Sequence, residues 1–138
     1  MHCALGGMKR RKKKIMLIDE SVAGLLVGKM ILACESYDVV TARSRREGIE
    51  KLSSERPDLI VMSAFAGARR GVRSTPCDDV RLHEATRTTP IVLLTARVRS
   101  LQEAHGDCDY IAKPVNGLEL LAKVRSRLRD GQDRGGEG

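Results

Sequence analysis

Five short apolar segments recur along the 138-residue chain, at residues 15–18, 39–41, 59–62, 91–95 and 110–112. The strongest, such as Ile15-Met-Leu-Ile18 and Leu59-Ile-Val-Met62, are continuous runs rather than alternations of apolar and polar residues. Strands covered on both faces read this way, as in a parallel sheet packed between helices. The intervening segments carry helical marks. Val22, Leu25, Leu26, Met30 and Ala33 share one face at helical spacing. Ser44-Arg-Arg-Glu47 has the form of a capping box, in which the hydroxyl and the carboxylate satisfy first-turn amides. Asn116 with Glu119 makes a similar start for the last helix, where Leu118, Leu121, Val124 and Leu128 form the stripe expected to be buried. Weaker helices are expected at residues 78–86 and 98–105, giving five in all.

Alternation of strand and helix predicts an α/β three-layer sandwich with a doubly wound, five-stranded parallel sheet. A single core suits this length. The expected organisation is a basic arm at residues 1–13, one domain at 14–129, and a flexible, Gly-rich charged tail at 130–138. Residues 64–76 hold two Gly and three Arg without a clear period. They read as a loop longer than the usual connection, of the kind that often carries function.

The formal net charge of +7 raises the question of an acidic partner. Much of the excess sits in one run, Lys9 to Lys14, which reads as a solvated arm. Nucleic-acid binding through that run and through Arg69, Arg70 and Arg73 is the alternative from another class. It is not favoured, because two Tyr and one Phe provide no stacking platform. The apolar runs are too short to cross a bilayer, and Met1 to Met8 lack a secretory stretch, so no membrane is expected and the cytoplasm is. Cys3, Cys34, Cys77 and Cys108 lie far apart and are expected to be reduced, partly buried thiols. His2, His83 and His105 look like isolated side chains. Nothing here points to an enzyme.

In doubly wound sheets, ligands collect outside the carboxyl ends of the strands. Those ends hold Asp19-Glu20 on the first strand, Ser63 on the third, Thr95 on the fourth and Lys113-Pro114 on the fifth. A carboxylate pair is a hard oxygen site suited to magnesium. A lysine and a hydroxyl nearby can hold phosphoryl oxygens. Each residue alone is ordinary; their placement on one edge suggests a site.

The segments Lys14-Ile-Met-Leu-Ile-Asp-Glu-Ser21, Arg56-Pro-Asp-Leu-Ile-Val-Met-Ser63, Thr89-Pro-Ile-Val-Leu-Leu-Thr-Ala96 and Asp109-Tyr-Ile-Ala-Lys-Pro114 resemble, in order and spacing, a CheY-like response-regulator receiver domain of bacterial two-component systems. So does Tyr37-Asp-Val-Val-Thr-Ala42 between the first two of these. The resemblance covers residues 13–129 and implies the flavodoxin-like strand order 2-1-3-4-5. It also implies that Asp19 and Glu20 bind magnesium, that Thr95 swings toward a bound phosphoryl group, and that Tyr110 reports the swing. Lys113 would contact the phosphoryl oxygens, and the bond to Pro114 would be cis.

Where the family has its phosphate-accepting aspartate, this chain has Ser63. Asp58 lies at the other end of the same strand and does not replace it. Glu20 is one methylene longer than the usual second aspartate, and Gly67 stands where the family has a proline after the acceptor. The resemblance thus implies a degenerate stand-alone receiver acting in a phosphorelay by phosphorylation-independent protein contact, with residual phosphorylation as the alternative. Its magnesium site would be weakened, and Lys113 would turn to Asp19 or Glu20. The expected partner is a histidine kinase, a phosphotransfer protein or an output protein, bound through the fourth helix, fifth strand and fifth helix; a homodimer is also compatible.

Overall fold

The computed structural model describes residues 12–63, 88–95 and 109–137, the stretch 130–137 for its backbone alone. The predicted loop at 64–76, the weaker helices at 78–86 and 98–105, the three histidines, and Cys3, Cys77 and Cys108 lie outside the described residues, as does the arm up to residue 11.

The described elements are, in chain order, β1 (Lys14–Ile18), α1 (Val22–Ala33), β2 (Asp38–Ala42), α2 (Arg45–Glu55), β3 (Leu59–Ser63), β4 (Ile91–Thr95), β5 (Asp109–Ala112) and α3 (Gly117–Glu137). All strand pairs are parallel, in the order β2-β1-β3-β4-β5. Every residue of β3 and β4 is buried, which accounts for their unbroken apolar runs. Ile15 and Leu17 point to a core shared with α1 and α3, while Met16 and Ile18 point to a second core beneath α2. The two faces of one strand thus feed two layers, and the sandwich has three.

Helix starts are chemically marked. Ser44 Oγ accepts from Glu47 N at 3.0 Å, and Glu47 Oε1 accepts from Arg43 N at 2.9 Å, closing the predicted box one residue further back than the usual partner. Asn116 Oδ1 accepts from both Leu118 N and Glu119 N, at 2.9 and 3.1 Å.

Three expectations are corrected. The buried face of α1 is Leu25, Gly28 and Leu32; Val22, Leu26 and Met30 of the predicted stripe are exposed. Gly28 lets the helix sit so close to β1 that an added Cβ would stand 2.7 Å from Leu17 Cδ2. On α3 the core-facing line is Leu120, Val124 and Leu128, with Leu121 partly buried and Leu118 exposed. Helix α3 itself runs through the Gly-rich segment to Glu137. Propagating an established helix requires fixing only one further residue per hydrogen bond, so Gly residues need not stop it. Finally, Cys34 is exposed rather than partly buried, with Sγ 3.3 Å from Met30 O.

Candidate functional site

The chain leaves β1 for β2 on one side and, after α2, returns across β1 to β3 on the other. The switch point therefore lies between β1 and β3, whose ends deliver Asp19 and Ser63. Asp19 follows directly on Ile18, and its N–H donates to Ala42 O at 3.0 Å. Its side chain is buried, and Oδ1 accepts from Ser21 N at 2.9 Å. Ser21 Oγ in turn caps α1 by accepting from Gly24 N at 3.1 Å. Gly24 closes the far side: a Cβ there would stand 2.4 Å from Asp19 Oδ2. Neither Ser21 nor Gly24 was singled out from the sequence. A serine just before an apolar helical run was the available signal for the first.

Ser63 ends β3 with 2% of its surface exposed. Thr95 ends β4, also buried, and its carbonyl accepts from Lys113 N at 2.8 Å. That bond anchors the residue after β5, from which Lys113 Nζ donates to Ser63 Oγ at 3.0 Å. The Lys113-Pro114 peptide is cis, as the resemblance implied. Asp19, Ser63, Thr95 and Lys113 thus meet at one edge, with Glu20 exposed beside them. Tyr110 sits within β5, half-buried against the core beneath α2. Asp58 is at the opposite edge, its Oδ2 accepting from Lys14 N at 2.7 Å.

Lys113 thus reaches Ser63, a contact not expected from the sequence, while Asp19 Oδ1 accepts from Ser21 N. A short path explains this. Ser63 and Thr95 lie on adjacent strands, and Lys113 is tied to Thr95 by its own backbone. Asp19 and Glu20 are the carboxylates at this edge among the described residues. Among the described residues no group of three His, Cys, Asp or Glu side chains comes together. A cavity of about 340 Å3 opens beside the edge, between α1 and the Lys113-Pro114-Val115 turn.

No family model matches the chain. It is 33% identical over 122 residues to the transcriptional regulatory protein AfsQ1 of Streptomyces coelicolor, covering 86% of this chain and 52% of that protein. It is 27% identical over 134 residues to the DNA-binding response regulator MtrA of Mycobacterium tuberculosis, covering 94% and 57%. The chain thus spans about half the length of these relatives. Among solved structures, a response regulator receiver modulated diguanylate cyclase from Pelobacter carbinolicus superposes with a TM-score of 0.74 at 26% identity, covering 89% of this chain and 97% of that one. The receiver domain of the sensor histidine kinase PA1611 from Pseudomonas aeruginosa, described with a magnesium ion coordinated in its active site cleft, gives 0.71 at 21%, covering 86% and 98%. That second likeness concerns the fold alone. No described helix is long and apolar enough to cross a membrane. By its strand order, its relatives and its structural neighbours, this chain has the fold of the CheY-like receiver domains and is homologous to response regulators of two-component systems.

Proposed function

We propose that this receiver signals without phosphorylation at its third strand, by protein–protein contact alone. The observation that carries the reading is the 3.0 Å bond from Lys113 Nζ to the buried Ser63 Oγ. A carboxylate at that place can accept a phosphoryl group as a short-lived acyl phosphate. A serine hydroxyl offers at best a stable ester, and it is a poor nucleophile without a base. Lys113, holding the hydroxyl with an ammonium, is a donor and supplies none.

Asp19 and Glu20 are the residues that would hold magnesium, which when bound balances phosphoryl charge. Two adjacent carboxylates with a serine as neighbour are a poor set for an ion that requires near-octahedral oxygen ligands. Thr95, Tyr110 and Lys113 keep the family's positions for phosphoryl contact and for reporting it. In this reading they hold one fixed state of the face built from the fourth helix of the family, β5 and α3, and a kinase, phosphotransfer or output protein reads that face. DNA association is a second reading, drawn from the MtrA relative and the basic run that reaches Lys14; a steep fall in affinity with added salt would support it.

The test is a magnesium titration of wild type beside Ser63→Asp, followed by amide NMR shifts at the carboxyl edge. Restoring the third carboxylate should tighten binding roughly tenfold or more, about 1.4 kcal/mol. Equal affinities would mean that the serine is not what limits the site, and the reading would fall.

A further inference from the structure

The cavity of about 340 Å3 between α1 and the turn after β5 falls at the lower end of the ~300–1,000 Å3 typical of small-molecule sites. Gly24 and Gly28, about one helical turn apart, both line it and leave the backbone of α1 bare on that side. A Cβ at Gly28 would stand 2.7 Å from Leu17 Cδ2, and one at Gly24 would stand 2.4 Å from Asp19 Oδ2. The floor is made by Leu17, Leu94 and Leu120, all buried, with Val27 and Ile31 on the helix side.

The polar groups gather at one end, the carboxyl edge of the sheet, where Asp19, Ser21 and Lys113 line the cavity. Asp19 is only 8% exposed. Its Oδ1 accepts from Ser21 N, while Oδ2, on the Gly24 side, has no hydrogen-bond donor among the described residues. Buried polar atoms are nearly always satisfied, so an oxygen left in this way marks the place of a donor. Lys113 brings the opposite charge to the same end. Its ammonium carries three donors, of which one goes to Ser63 Oγ at 3.0 Å.

These two charges select the occupant. An organic anion would meet Asp19, and an organic cation would meet Lys113. A head with an ammonium and a carboxylate on one carbon answers both, and its apolar side chain then takes the leucine-lined floor. We propose that this cavity binds a free α-amino acid with a large apolar side chain, its ammonium on Asp19 Oδ2 and its carboxylate toward Lys113. The proposal does not depend on whether Ser63 prevents phosphorylation.

NMR titration of the full chain with L-leucine, read at the backbone amides, tests this. EDTA is present, so that no magnesium competes for Asp19. Saturable shifts should map to Gly24, Gly28 and Val115. Affinity should rise roughly fourfold per added side-chain carbon from L-alanine to L-leucine. Isoamylamine and isocaproate, which keep the tail and one charge each, should bind roughly tenfold or more weakly. Asp19→Asn should lose a similar factor. Ala23→Trp, at an exposed position on the rim, should fill the cavity and block binding with the far-UV circular dichroism unchanged. No saturable shift with L-leucine or L-phenylalanine at their solubility limits overturns the proposal. So does equal binding of either singly charged analogue, since the site then does not read a zwitterion. Shifts that map elsewhere, or that persist in both variants, overturn the placement in this cavity.

Discussion

Fifty residues of chain separate Ser63 from Lys113, yet their side chains meet at 3.0 Å because β3, β4 and β5 are neighbours in the sheet. The residue types at the edge were legible in the sequence, since each follows directly on an apolar run. The contact of Lys113 with Ser63 was not, because it depends on the backbone bond to Thr95, which pairs residues far apart in sequence. An ion pair at the other end of β5 gives a testable pH dependence. Arg127 Nε donates to Asp109 Oδ2 at the start of β5, and this bond holds the Asp109 carboxyl below the usual aspartate range, against partial burial that pushes it up. A depressed folded value stabilises above the unfolded pKa of about 3.9 and is lost as pH falls through the folded value. Arg127→Gln should therefore unfold more easily than wild type near neutrality in urea. The gap should close as pH drops below the aspartate range, and a gap that stays constant would show that the pair contributes nothing through its charge.

At the level of elements, boundaries were the most readable feature, and faces the least. All five strands begin and end within one residue of the predicted runs. The two predicted caps, Ser44 and Asn116, are made. Helix α1 was oriented wrongly for a physical reason: it is apolar on nearly every side, so periodicity had no polar face to set against a buried one. Helix α3 has leucines at 118, 120 and 121, and only packing decides which of them turns inward. The cap at its start is worth measuring. Asn116→Ala leaves two first-turn amides without their side-chain acceptor and should cost about 1 kcal/mol in chemical denaturation. A loss below a few tenths would mean that water replaces the asparagine fully and that α3 is held by Leu120, Val124 and Leu128 alone.

For the molecule as a whole, the doubly wound fold followed from the alternation of elements, and it alone gathers the edge residues at one switch point. That edge keeps an acid, a threonine and a lysine in place around a serine. In the function proposed above Ser63 is what prevents phosphorylation, and intact mass after incubation with an acyl phosphate donor and magnesium, on wild type beside Ser63→Asp, tests this most directly. The variant should gain one labile phosphoryl group and the wild type none. A labile phosphoryl group on the wild type would contradict it.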